Sequence, residues 1–189
     1  MGEPLEVLDA ALSAGVDLIQ IREKPFAADA LTWIDEVLDL AGRYEVPVLI
    51  NDRIDLARQS AAAGVHLGQE DLKGHTAGSL QERNFALGLS THDLAEMVRA
   101  LREHPDYVGV GPCFATRTKG YEAGLPPGEL TRLLAQSPVP AYGIGGIDRT
   151  NLPGLLDLGL RRIAVSSCIL ASPTPARTTR DLRSLLDKV

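Results

Sequence analysis

Short apolar runs recur along the chain at "VDLIQI" (16–21), "VPVLI" (46–50), "GVHLG" (64–68), "FALGLS" (85–90), "DYVGVG" (106–111), "VPAYGIGG" (139–146) and "RIAVSS" (162–167). Each has the length of a strand and lacks the strict apolar and polar alternation of a sheet with one wet face. Between them lie stretches with helical spacing of apolar residues: "PLEVLDAALSAG", "AADALTWIDEVLDLAGRY", "IDLARQSAAAG", "DLKGHTAGSLQE", "HDLAEMVRALREH", "PPGELTRLLAQ", "RTNLPGLLDLGL" and "TPARTTRDLRSLLDKV". Apolar strands alternating with helices predict a parallel sheet covered on both faces, an α/β fold.

Seven strands face eight helices, and the first helix has no strand before it. A (β/α)8 barrel pairs every helix with a preceding strand and has roughly 200 or more residues. The pattern therefore predicts a TIM (β/α)8 barrel lacking its first N-terminal strand, with an open doubly wound sheet as the alternative. No linker or composition break divides the chain, so residues 1–189 are expected to form a single barrel domain. The groove between the strands at 16–21 and 162–167 is then expected to be unfilled. An upstream segment outside this sequence is the preferred occupant, ahead of a strand from another copy or a seven-stranded closure. An open edge of this kind favours self-association, so a homo-oligomer is one expected state.

Composition narrows the function classes. The residues are 44% hydrophobic but only 4% aromatic, which predicts an aliphatic core. Nineteen basic against 25 acidic residues give a net charge of −6, with no basic run, so nucleic acid is not an expected partner. Cys113 and Cys168 match no disulfide or metal framework, which points to a reduced, cytoplasmic protein. No apolar run approaches the ~20 residues that span a bilayer, and no leader is visible, so neither export nor a membrane is expected.

In parallel α/β folds the loops after the C-terminal strand ends build the site. Reading each apolar run to its end gives Gln20-Ile21-Arg22-Glu23-Lys24, Asn51-Asp52-Arg53, His66 with Gln69-Glu70-Asp71, Ser90-Thr91-His92, Thr116-Arg117-Thr118-Lys119, Gly145-Gly146 and Ser166-Ser167. Arg22, Lys24 and Lys119 would repel one another around one mouth unless an anion lay between them, and a diphosphate suits three cations. Asp52 and Asp71 are hard oxygen ligands of the kind that hold Mg²⁺ while water and phosphate complete its shell. "GIGGI" (143–147) and "SSCIL" (166–170) close the last two strands, where barrels often bind a monophosphate with backbone N–H groups.

Each residue also has a plainer reading. Arg22 and Lys24 could be a solvated edge, and Asp52 with Arg53 a surface ion pair. Asp71, Ser90 and Thr91 could cap helices. Gly145-Gly146 could serve only a tight turn. His75 and His92 read as surface residues, His66 as either a ligand contact or an inward hydrogen-bonding residue, and the cysteines as small core residues. The set outweighs its members, because every strand end carries compatible polar groups.

The motifs "QIREK" (20–24), "INDRIDLA" (50–57), "GVHLGQEDL" (64–72), "GLSTH" (88–92), "YVGVGPCFATRTK" (107–119), "GIGGI" (143–147) and "IAVSSCI" (163–169) together resemble the thiamine phosphate synthase family, in order and over nearly the whole chain. The resemblance implies Mg²⁺-dependent joining of 4-amino-2-methyl-5-hydroxymethylpyrimidine diphosphate to a thiazole phosphate, with diphosphate leaving first. By motif, Gln20, Arg22, Lys24, Asn51, Ser90 and Lys119 would bind the pyrimidine diphosphate, and Asp52 and Asp71 the metal. Thr116, Thr118, Gly146, Ser166 and Ser167 would hold the thiazole phosphate. The sibling thiazole tautomerases share much of the pattern. Asp71, Pro112 and the intact Thr116-Arg117-Thr118-Lys119 stretch favour the synthase. A barrel that binds precursors without turning them over is the third reading.

Overall fold

A computed structural model describes residues 3–72, 85–115 and 122–188. Along the chain these form α1 (Pro4–Leu12), β1 (Ile19–Ile21), α2 (Ala30–Gly42), β2 (Val48–Asn51), α3 (Ile54–Gln59), β3 (Gly64–Leu67), α4 (Gln69–Leu72) and β4 (Ala86–Thr91). There follow α5 (Leu94–Leu101), β5 (Tyr107–Val110), α6 (Pro127–Gln136), β6 (Ala141–Ile144), α7 (Leu152–Asp157), β7 (Ile163–Ala164), α8 (Ser167–Leu170) and α9 (Pro175–Leu186).

All strand pairings are parallel and follow chain order from β1 to β7. The sheet curls into a TIM-like barrel lacking one strand, and among the described residues no ladder joins β1 to β7. Two expectations need adjustment. β7 is only Ile163–Ala164, because Ser166 leaves extended geometry (φ −128°, ψ −83°) and Ser167 opens a helix not expected from the spacing, α8. Similarly, β6 stops at Ile144, where Gly145 (φ 100°) and Gly146 (φ 63°) turn the chain.

Helix starts follow local chemistry. Proline opens α1, α6 and α9 at Pro4, Pro127 and Pro175, where the missing N–H costs nothing. Asp93 caps α5 by accepting from the Glu96 N–H at 2.8 Å, so neither Ser90 nor Thr91 is the cap.

Residues of one parity point outward to the helices. Val48, Ile50, Val65, Leu67, Leu87 and Leu89 pack with Leu12, Ile34, Val37 and Ala100. Val108 and Val110 form a second cluster with Met97, Leu130, Leu133, Leu152, Leu160 and Leu182. Burying each such leucine contributes about 1.5–3 kcal/mol, so these two aliphatic clusters carry the fold. The opposite parity points into the barrel. There the ladder aligns Asn51 with His66, His66 with Gly88, Gly88 with Tyr107, and Gly109 with Tyr142. The aliphatic core lies between sheet and helices, while much of the barrel interior is polar, aromatic and glycine.

Candidate active site

The chain turns abruptly as it leaves β2. Asp52 adopts a left-handed conformation (φ 63°), which aspartate tolerates better than most residues. Its N–H still reaches the His66 carbonyl at 2.9 Å, and the Arg53 N–H bonds back to the Asn51 carbonyl at 2.8 Å. This anchored bend sets the Asp52 carboxylate against Lys24 Nζ. Arg53 instead pairs with Asp55 and lies near the Phe26 ring. The Asp52–Arg53 surface pair considered from the sequence therefore does not form.

After β3 the chain enters α4 at once. Asp71 Oδ2 accepts from the Gly68 N–H at 2.8 Å, the reciprocal half of an N-terminal capping arrangement. Gln69 Nε2 donates to the Ser90 carbonyl at 2.6 Å, which fixes the start of α4 on the end of β4. Burial raises the Asp71 pKa; the Gly68 N–H opposes this, the hydrogen-bonded Asp52 carboxyl adds to it, and Lys24 lowers it. Two carboxyl groups and an ammonium thus meet at one spot.

These groups line a cavity of about 600 Å³ with Arg22, Asn51, Gly68, Gln69, Glu70, Ser90, His92 and Glu96. Of the expected residues, Arg22, Lys24, Asn51, Asp52, Asp71 and Ser90 are brought together here. Asn51 and Ser90 are buried, whereas Arg22 and Lys24 are exposed. Gln20 is exposed, and its side chain lies near the Tyr107 hydroxyl. His92, read as a surface residue, is half-buried in the cavity wall with Nδ1 2.7 Å from Glu96 Oε2. Among the described residues no group of three His, Cys, Asp or Glu side chains is arranged to hold a metal. The Asp52 and Asp71 pair nonetheless fits Mg²⁺, which commonly takes one or two carboxylates and leaves its other positions to water and phosphate.

Gly146, Ser166 and Ser167 occupy another part of the rim. Gly146 and Ser166 each lie two residues beyond the paired Ile144 and Ala164. The Cys168 thiol accepts from the Arg149 backbone N–H and feels the Asp148 charge, so the loops after β6 and β7 meet. Side chains are excluded at the bend: a Cβ on Gly146 would lie 2.6 Å from the Ala115 carbonyl, and one on Gly145 would lie 2.8 Å from Pro112 Cβ. Both glycines therefore sit in a tight turn that admits no side chain. Three exposed residues with backbone N–H groups beside a bend are compatible with an anion. Thr116, Thr118 and Lys119 lie outside the described residues. Burial pushes the Cys113 thiol up to about 11 and raises Cys168 as well, in keeping with inert packing residues.

Sequence reasoning left His66 between two roles and gave Tyr107 none. His66 is buried, with Nε2 2.8 Å from Ser90 Oγ and Nδ1 2.8 Å from Tyr107 Oη. The alternation along β5 was the one available signal, and the pairing of Tyr107 with Gly88 came only with the register.

Residues 2–169 match the family model described as thiamine monophosphate synthase. The chain is 43% identical over 189 residues to the thiamine-phosphate synthase of Thermus thermophilus, covering 96% of this chain and 88% of that relative. It is 39% identical over 179 residues to the thiamine-phosphate synthase of Thermosynechococcus vestitus, covering 94% of this chain and 51% of that relative. The chain thus spans about half the length of such curated relatives. Its structure is similar to thiamine phosphate pyrophosphorylase from Pyrococcus furiosus, with a TM-score of 0.86 at 27% identity over 98% of this chain and 90% of that one. By the reach of the family model and the identity to the Thermus relative, the chain belongs to the thiamine monophosphate synthase family.

Proposed function

We propose that the chain, read as one barrel domain over residues 1–189, joins a pyrimidinylmethyl diphosphate to a thiazole phosphate, giving thiamine phosphate and diphosphate. The observation that carries this reading is the cavity in which Arg22 and Lys24 stand beside Asp52 and Asp71 at the strand ends. It accompanies family membership and a second, anion-compatible rim at Gly146, Ser166 and Ser167.

The bond that breaks joins the pyrimidine methylene to a diphosphate oxygen, and the bond that forms joins that methylene to the thiazole nitrogen. Charge builds on the departing oxygens, so fixed cations there stabilise the transition state. Arg22 and Lys24 supply that charge, with Lys119 as the third cation expected from the sequence. Mg²⁺, when bound, would neutralise diphosphate charge, and Asp52 and Asp71 would hold it. Lys24, which sits on Asp52 in the structure, would offer its ammonium to the diphosphate. Asn51, Ser90 and Gln20 orient the pyrimidine diphosphate, while Thr116, Thr118, Gly146, Ser166 and Ser167 seat the thiazole phosphate. No nucleophilic side chain is required.

No helix among the described residues is long and apolar enough to cross a membrane. A cytoplasmic enzyme acting on small phosphorylated precursors accords with that, and the outer edges of β1 and β7, unpaired among the described residues, make self-association the expected oligomeric behaviour.

The test is incubation of the protein with both phosphorylated precursors and Mg²⁺, followed by separation of products. Thiamine phosphate and diphosphate in equal amounts are expected. Folded protein that forms neither overturns the reading, and isomerisation of the thiazole alone would assign the tautomerase activity instead.

A further inference from the structure

The barrel interior contains a hydrogen-bonded line from β5 to the cavity. Tyr107 Oη lies 2.8 Å from His66 Nδ1, and His66 Nε2 lies 2.8 Å from Ser90 Oγ. Ser90 alone of these lines the cavity. His66 and Ser90 are buried at 6% and 5% exposure, so their partners are protein groups rather than bulk water. Two glycines make room for the rings: a Cβ on Gly88 would lie 2.1 Å from Tyr107 Cζ, and one on Gly109 would lie 3.3 Å from His66 Cε1.

Such a line can run in either of two directions, and its direction decides what Ser90 offers the cavity. Burial raises the Tyr107 pKa most and the neighbouring Tyr142 adds to this, so the phenol keeps its proton. A largely buried phenol O–H needs an acceptor, and His66 Nδ1 stands 2.8 Å from Tyr107 Oη, so the O–H points at that nitrogen. A neutral imidazole that accepts at Nδ1 carries its proton on Nε2, where it can only donate. Ser90 Oγ then receives a proton from His66 and turns its own proton outward.

We propose that Tyr107 and His66 form a directed relay that fixes His66 as the Nε2–H tautomer and makes the Ser90 hydroxyl a preorganised donor to an anionic oxygen in the cavity. This rests on the proposed reaction only for the identity of that oxygen, which belongs to the pyrimidine diphosphate. Tyr107 and His66 touch no substrate and are positioning residues. In the reverse direction Ser90 would present a lone pair to the phosphate and repel it, so the direction has a functional sign.

The relay is tested in two ways. Nitrogen-15 spectra of histidine-labelled protein, with His66 assigned by its loss in His66→Gln, should show Nδ1 unprotonated and Nε2 protonated. Tyr107→Phe should abolish that preference without unfolding the protein. A protonated Nδ1 in the parent protein overturns the proposal, whatever the enzyme turns over. In kinetics, Tyr107→Phe should lower kcat by about tenfold with little change in KM, the size of one modest hydrogen bond. In a Ser90→Ala background the same substitution should change nothing further. Equal factors in both backgrounds would show that Tyr107 only packs, and would overturn the relay. A parent protein that forms no thiamine phosphate yet shows the Nε2–H tautomer would remove the proposed reaction while supporting the relay.

Discussion

The Tyr107 ring occupies the volume that a side chain on Gly88 would need, with Cζ 2.1 Å from the ideal Cβ position. The two residues are register partners on β4 and β5, so neither backbone can retreat without disturbing the ladder. Gly88→Ala should therefore displace the ring and cost roughly 1–3 kcal/mol of stability as an overpacked site. Thermal melts and turnover measured together check this. Activity should fall further than the lost stability explains, because His66 and Ser90 lose their register with Tyr107.

Asp52→Asn and Asp71→Asn should each lower metal-dependent turnover by about 2–4 kcal/mol of transition-state stabilisation, the size of one lost preorganised group. Asparagine is the informative substitute at position 52 because it also tolerates the left-handed backbone (φ 63°), leaving charge as the variable. Single-turnover rates over a Mg²⁺ titration are the measurement. Unchanged rates in both variants would leave Asp71 as a capping residue and Asp52 as an ion-pair partner of Lys24.

Asp71 also makes a prediction about pH. Its folded-state pKa is raised, chiefly by burial, so the folded protein holds this proton more tightly than the unfolded chain does. Its contribution to stability is fully present below the unfolded carboxyl value and is lost as pH rises through the folded value. Asp71→Asn should flatten this part of the stability curve and raise Tm of the ligand-free protein at neutral pH. Denaturant melts across the acid range would show it. A variant melting lower than the parent at neutral pH would mean that the Gly68 cap outweighs burial.

Gly146→Ala should act on the other rim. The position combines a left-handed φ of 63° with a Cβ site 2.6 Å from the Ala115 carbonyl. The loop must shift, and KM for the thiazole phosphate should rise more than KM for the pyrimidine diphosphate. Initial-rate kinetics with each substrate varied separately distinguish the two. Equal changes in both would place Gly146 in the fold alone.

The apolar runs and the helical spacing between them were sufficient to read an α/β barrel short of one strand. Backbone turns that end a ladder early were less legible: Gly145 and Gly146 stop β6, while Ser166 departs from β7 inside an apolar run. A single turn such as α8 is too short to show a helical period. Within the cavity, charge and strand-end position were enough to gather Arg22, Lys24, Asn51, Asp52, Asp71 and Ser90. The Tyr107–His66–Ser90 line was hidden because it depends on which neighbours share the inner parity of adjacent strands. That pairing is a property of register, and the chain alone does not state register when both faces of a strand are buried.

The division of the aliphatic core into two clusters has a thermodynamic side. One gathers α1 to α3 around β1 to β4, and the other gathers α6, α7 and α9 around β5 and its neighbours. They meet at α5, where Ala100 belongs to the first and Met97 to the second. Such halves can open as separate cooperative units with different amide-exchange protection. The cavity residues Arg22, Lys24, Asp52 and Asp71 ride on the first unit, whereas Gly146, Ser166 and Ser167 ride on the second. A substrate pair held by both would act as a staple across the seam, slowing exchange in each half at once, whereas either precursor alone would protect only its own.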